Sequence, residues 1–420
     1  MAYFTNRENE ELLLSVKDLT GRVILPVEPL ETPFKELCST AVQKECPLGT
    51  AADAMVLNDM FASFLNCGKR GYVIAVSGGF GSDGLYHIVG AGNTGSKGVL
   101  RPSDKQCAAL AQACTNFILG STGPPDPDDM SEILVAAFDI CSAEKAHRLE
   151  AINTSENITT QSVIYVNMLQ GLRLPPQSDL RPDIDVLKEG LRRWRKLGSE
   201  EKTKLATIYG RCLELIFNRY DKKIDFESVQ VEPNVKLIRG FYNIAKGLRL
   251  LRNFPRGMRV VFDWPQGPMH MNGDPFRIGD YRRVNAHLYK NRQLHCEIYL
   301  ALHILFSNSD VRFHLFLVEE RKQVFTIGCS KASCIACWDI LLGLSRQDSP
   351  SHTIYTCRTR RSSGKCYKTW GLTPHIETLP LSLVQAITGP RRAQMLKSLN
   401  LALRCCHQKF KQRFELSVNL

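Results

Sequence analysis

From residue 295 to residue 358 the chain alternates helix-type and strand-type segments, and both helix starts carry side chains that bind metals. Apolar spacing predicts a helix over about 295–307, a strand around 324–328, a second helix over about 333–344 and a strand at 353–358. Helices that alternate with strands bury their apolar faces against a shared sheet, so this segment reads as an α/β layer structure. Its two motifs are His295-Cys-Glu297 and Cys334-Ile-Ala-Cys337. Cysteines at i and i+3 face one side of a helix start, where the positive end of the helix dipole favours thiolates. Two thiolates and a neutral imidazole balance the charge of Zn2+ and leave its fourth position open to water, the ligand count of a catalytic site. Water on zinc ionises near neutral pH. Glu297, two residues past His295, can stand beside that water without binding the metal and carry its proton. Two alternatives stay open: a structural zinc closed by Cys329, Cys357 or Cys366, and a buried helix pair with incidental Cys and His.

With Glu297 and Cys334 37 positions apart and a strand between the motifs, this order resembles the cytidine deaminase-like superfamily. The wider strings Leu294-His-Cys-Glu-Ile-Tyr-Leu300 and Ile327-Gly-Cys-Ser-Lys-Ala-Ser-Cys-Ile-Ala-Cys337 resemble a fungal branch of it, in which Gly-Cys-Ser-Lys precedes the zinc cysteines. Ser363-Gly-Lys-Cys-Tyr367 and Trp370-Gly-Leu-Thr-Pro374 resemble that branch's C-terminal strings, so the resemblance covers residues 290–375. It implies a zinc-dependent hydrolytic deaminase built as an α/β/α sandwich, with His295, Cys334 and Cys337 on the metal. Metal-activated hydroxide would attack the amino-bearing ring carbon of cytosine or adenine while Glu297 moves the protons. Ser333 departs from the proline that most of the superfamily carries before the first zinc cysteine; serine can fix a helix start by capping instead.

The superfamily fold opens with a β-hairpin, and none stands directly upstream of His295. The candidate is far away: Gly71–Ser77 and Leu85–Val89, joined by the glycine-rich Gly78–Gly84. Asn93 would then resemble the asparagine that contacts a substrate sugar; a separate N-terminal domain with a turn asparagine is the alternative. The chain divides into an N-terminal region at 1–69, the hairpin at 70–100, a mostly helical insertion or domain at 101–280 and the catalytic core at 281–420. Helices are expected over Asp53–Leu65, from an N-cap at Ser103 to Leu119, over Leu187–Leu197 and Asn234–Asn253, and over Ser382–Cys406. Residues 120–129 read as a loop, and 255–279, with Pro265, Pro268 and Pro275, as irregular. Gly90-Ala-Gly-Asn-Thr-Gly95 fits a dinucleotide pattern but has no helix start just beyond it, so it reads as a β-turn.

Charge bears on the substrate. Residues 1–186 carry 14 Lys/Arg against 23 Asp/Glu, a balance of −9, whereas 187–420 carry 40 against 19, a balance of +21. A polycation of that size attracts polyanions unless the acidic part neutralises it. Arg358, Arg360 and Arg361 with Tyr355, Tyr367 and Trp370 mix cations with stacking surfaces, as single-strand binders do. Candidate substrate contacts are therefore Asn93, Ser333, Tyr355, Arg358 and Trp370, with a solvated loop and core aromatics as an equal alternative. Arg192, Arg193, Arg195 and Lys196 around Trp194 read as a wet helix face. Fifteen cysteines, with no export-type start, read as reduced thiols and ligands and place the protein in cytoplasm or nucleus. No apolar stretch nears the roughly 20 residues of a membrane span. The reading is a deaminase acting on single-stranded DNA or RNA ahead of a free nucleoside. A catalytically idle deaminase-like scaffold is the second reading, and the intact Glu297 opposes it.

Overall fold

A computed structural model of the protein describes residues 51–68, 72–92 apart from 82, 101–150 apart from 121–122, 181–220, 233–264, 295–306 and 316–319. It also describes 322–331, 333–334, 337–338, 341, 345–347 and 354–359, with short strand pairs at 23–24, 94–95, 98–99, 270–271, 274–275 and 365–366.

The architecture is α/β. Seven strands form one mixed sheet: β1 (Ile74–Phe80), β2 (Leu85–Gly92), β3 (Arg259–Asp263), β4 (Phe316–Glu319), β5 (Lys322–Cys329), β6 (Ser345–Gln347) and β7 (Ile354–Thr359). Their spatial order is β6-β7-β5-β1-β2-β3, and β4 pairs with the first four residues of β5. The hairpin β1–β2 turns at Gly84, whose φ of +77° suits a residue without Cβ. Far along the chain β5 joins it antiparallel, Gly328 opposite Val76 and Cys329 opposite Ala75. β5 and β7 run parallel, from Lys322 opposite Ile354 to Ile327 opposite Thr359. A parallel pair needs a crossover, and that crossover carries Cys334 and Cys337. Val324, Phe325, Thr326 and Ile327 are all buried, as expected for a strand covered on both faces.

Helix α1 (Ala51–Phe64) is apolar nearly all round, the pattern of an element with no solvent face. It lies against β1 and β5, and it comes so close that Gly328 has no space for a Cβ: one would stand 2.3 Å from the Asn58 carbonyl carbon and the Asp59 nitrogen. The pleat turns the next residue, Cys329, to the opposite face.

The helical part contains α2 (Asp104–Leu119), α3 (Ser131–Glu150), α4 (Arg181–Arg193) with a 3-10 turn at Trp194–Lys196, α5 (Ser199–Tyr220) and α6 (Pro233–Arg252). Ser103 caps α2 in a reciprocal box: its hydroxyl accepts from Gln106 N at 3.3 Å and its own N–H donates to Gln106 Oε1 at 3.0 Å. Phe138 sits edge-on to Trp194 and Tyr209, with ring centroids 5.2 and 5.0 Å apart. Trp194 is therefore core rather than a stacking surface, and its indole N–H donates to Asp139 Oδ1 at 2.7 Å. Buried apolar side chains run without a break from α1 and the hairpin through α2–α6 to Phe254 and Val260.

Two expectations are corrected. Residues 259–263, in the proline-bounded segment read as irregular, form β3, an edge strand parallel to β2. Gly90 to Gly92 do not turn but finish β2, where a Cβ at Gly90 would meet the Trp264 ring at 3.0 Å. The expected helix at 382–406 lies outside the described residues. No described helix is long and apolar enough to cross a membrane.

Candidate metal centre

Two helix starts meet at the site. Helix α7 (Cys296–Phe306) begins just after His295, whose carbonyl accepts from Tyr299 N at 3.1 Å; His295 is thus its N-cap. In the crossover, Trp338 N donates to Cys334 O at 2.9 Å, and residues 337–338 and 341 are helical. Cys334 occupies the N-cap, and its sulfur accepts from Cys337 N at 3.4 Å. This corrects the reading of Ser333 as the cap: Ser333 is buried one residue earlier, its Oγ 3.9 Å from Cys329 Sγ.

His295 Nδ1 lies 3.6 Å from Cys334 Sγ and 3.4 Å from Cys337 Sγ, and the three donor atoms all fall within 4.8 Å of one another. A tetrahedral ion with Zn–N of about 2.0–2.1 Å and Zn–S of about 2.3 Å puts nitrogen and sulfur about 3.6 Å apart, so the donors fit zinc. Among the described residues this is the one group of three metal-type donors. Cys329, half-buried, and Cys357, buried, are free thiols outside it; the Cys366 side chain lies outside the described residues.

The electrostatics are those of a ligand set already partly ionised. Burial opposes charge on His295, but the Cys334 thiolate outweighs it and pushes the imidazole up to about 9. Burial likewise opposes ionisation of Cys334, yet hydrogen bonding from Cys337 and the His295 charge hold it well below the usual thiol value. Cys337 is pushed up by burial and by its thiolate neighbour. Glu297 is buried, and burial raises its carboxyl against the pull of His295. Cys296, unremarked by the sequence reading, donates its thiol to Glu297 Oε2 at 3.4 Å. Burial and the Glu297 charge keep that thiol protonated, so it acts as a donor.

The other candidate residues are less gathered. Arg358 lies half-buried on β7 opposite Thr326, with Nη1 3.5 Å from Cys357 O. The backbone of Tyr355 pairs with Gln323, while its side chain, Asn93 and Trp370 lie outside the described residues. Arg192 makes an ion pair with Glu150 at 2.8 Å.

A parallel strand pair linked through a Cys-x-x-Cys helix start thus stands beside a His-x-Glu helix start, with three metal-type donors between them. Residues 294–375 match the model of the OTT_1508_deam-like deaminase family, a deaminase family of the cytidine deaminase-like superfamily. No curated protein and no solved structure matches the chain.

Proposed function

We propose that the protein is a zinc-dependent hydrolytic deaminase acting on a cytosine or adenine base, with single-stranded DNA or RNA favoured over a free nucleoside. The observation that carries this is the convergence of His295 Nδ1, Cys334 Sγ and Cys337 Sγ at zinc-like spacing with Glu297 buried beside them. Zinc held there supplies Lewis-acid activation of a water. Glu297 does the proton work: its raised carboxyl accepts the proton released by the water, gives one to a ring nitrogen of the base and helps the amine leave as ammonia. A carbonyl replaces the amino group, so water is consumed and no electrons are transferred. The +21 balance of residues 187–420 supports a polyanionic substrate.

The catalytic unit is an α/β/α sandwich of discontinuous sequence, in which the hairpin at 70–100 belongs with 281–420 and the mostly helical 101–280 is an insertion that adds β3 to the edge of the sheet. Supporting this, the hairpin pairs with β5, Gly328 faces α1, and Cys329 on the other face lies within electrostatic reach of Glu297 in α7. Cytoplasm or nucleus is the expected location, in keeping with the free thiols of the described cysteines.

The test is ammonia release and base conversion by the zinc-loaded full chain on single-stranded DNA, double-stranded DNA, RNA and free nucleosides, each beside Glu297→Ala. Conversion of a single-stranded polymer is expected, with a loss of about 10²–10⁴-fold or more in the zinc-retaining variant. Conversion of nucleosides alone would overturn the nucleic-acid assignment. No ammonia from any substrate would leave a catalytically idle scaffold.

A further inference from the structure

Four positions before Cys334, side chains from α3 and from the segment that follows α1 close on one residue, Ser330. Ser330 is buried and each of its polar groups is engaged. Its N–H donates to Ile74 O at 2.9 Å, and its hydroxyl oxygen accepts from Ile74 N at 3.0 Å and from Asn66 Nδ2 at 3.2 Å. Its carbonyl accepts from Arg148 Nη2 of α3 at 2.6 Å. The strand feeding this turn is held the same way. Cys329 N donates to Asp59 Oδ1 at 2.8 Å, and Asn58 Nδ2 donates to Thr326 O at 3.0 Å and to its hydroxyl at 2.9 Å.

Arg148 is itself braced. Its Nε donates to Glu144, whose carboxylate also faces Lys145 at 3.8 Å, and the Lys145 ammonium donates to Ser63 in the last turn of α1, three residues before Asn66. Glu144 and Lys145 are both buried. Desolvation takes back much of what such an ion set gains in attraction, so its firm physical consequence is a guanidinium fixed in place.

We propose that Arg148 and Asn66 are positioning residues for the metal centre: by clamping Ser330 they fix the turn ahead of Cys334 and set Cys334 and Cys337 opposite His295. The proposal rests on the reading of that cluster as a zinc site. Metal–donor distances tolerate errors of only about 0.2 Å, whereas the chain from Ser330 to Cys334 could swing by several ångströms once its anchor is released. The helical part of the protein thereby acts on the metal through the Arg148 hydrogen bond, and the segment after α1 through that of Asn66, without either reaching the site itself.

The test is the zinc affinity of the full chain, by competition with a chromogenic chelator, for wild type, Arg148→Gln, Arg148→Lys and Ser330→Ala. Arg192→Gln is the control, because Arg192 pairs at the exposed surface with Glu150, at the end of the same α3, and that contact does not involve Ser330. Arg148→Gln and Ser330→Ala should bind zinc about tenfold more weakly, within the range of about 10–100-fold that outer-sphere partners contribute. Arg148→Lys should recover part of the loss, Arg192→Gln should match wild type, and circular dichroism should show unchanged helix content. If wild type binds zinc and both Arg148→Gln and Ser330→Ala bind it equally well, the clamp is overturned and the zinc reading stands. If wild type binds no zinc, both fall. Should Arg148→Gln fail to fold, Arg148→Lys and Ser330→Ala decide together: the first alters the bond to the Ser330 carbonyl, and the second removes the two bonds its hydroxyl accepts while leaving the Glu144–Lys145–Arg148 set intact, so wild-type zinc affinity in both overturns the clamp.

Discussion

Gly328→Ala should destabilise the protein at the contact of α1 with the sheet. An added Cβ would lie 2.3 Å from two backbone atoms of α1, the Asn58 carbonyl carbon and the Asp59 nitrogen, and 2.6 Å from Asn58 Cβ. Carbon atoms in contact lie about 3.5–4.0 Å apart, so the strain is relieved only if the helix retreats by about 1 Å or more. Two outcomes are physically open, and they cost about the same. If α1 stays, the overpacked contact costs about 1–3 kcal/mol, at the upper end because backbone cannot rotate away. If α1 retreats, it gives up the two bonds of Asn58 to Thr326 and that of Asp59 to Cys329 N, at about 1 kcal/mol each. A destabilisation of about 3 kcal/mol follows either way. The matched control is Gly240→Ala inside α6, where a Cβ meets nothing. There alanine should stabilise by about 0.5–1 kcal/mol through the lower backbone freedom of the unfolded chain. Urea unfolding of both variants, followed by circular dichroism, reads the two effects with opposite sign. A Gly328→Ala protein with the wild-type midpoint and slope would refute the close approach of α1 to β5.

Two further perturbations test the helical part. Trp194→Phe keeps the edge-on packing on Phe138 but removes the donor to Asp139 Oδ1. Asp139 retains Lys202 at 2.8 Å, so the loss should be about 1 kcal/mol in a thermal melt, and an unchanged midpoint would contradict it. Burial alone would raise the Glu144 carboxyl, but Arg148 and Lys145 outweigh it and hold it below the usual 4.5. A depressed carboxylate adds stability that is complete above its unfolded value and is lost as pH falls through the folded one. Wild type should therefore lose stability below about pH 4.5 more steeply than Glu144→Gln. That variant should start about 3–5 kcal/mol less stable at pH 7, since buried Lys145 loses its counter-charge. Superimposable acid curves would refute the pairing.

The gathering of His295, Cys334 and Cys337 was legible in the sequence because metal-type donors announce themselves by residue type and order: one imidazole and two thiols at fixed offsets from helix starts. Element types were legible for the same local reason, since Asp53–Leu65, Ser103–Leu119 and the runs at 71–77 and 85–89 announce their periodicity or caps, although β1 runs on through Gly78 and Gly79 of the expected turn and β2 to Gly92. The pairing of Val76 with Gly328 was not, because backbone hydrogen bonds between segments about 250 positions apart leave no mark on side-chain identity. β3 was hidden by its neighbours: Arg259–Asp263 is a short Val-Val-Phe run among prolines, which an edge position tolerates. At the crossover, the serine before Cys334 looked like the cap, but a thiolate at the N-cap accepts the same N–H bond. The clamp on Ser330 had one local signal, polar Asn58 inside the largely apolar α1 and Asn66 just past its end, where each must find a buried partner.

The most direct test of the account is X-ray absorption at the zinc edge on the zinc-loaded full chain. The expected result is one zinc per chain with two sulfur scatterers at about 2.3 Å and nitrogen or oxygen scatterers at about 2.0–2.1 Å, matching Cys334, Cys337 and His295 with one position left for solvent or substrate. Three or four sulfurs would mean that a further cysteine closes the site, and a protein that takes up no zinc would contradict the assignment of His295, Cys334 and Cys337 outright.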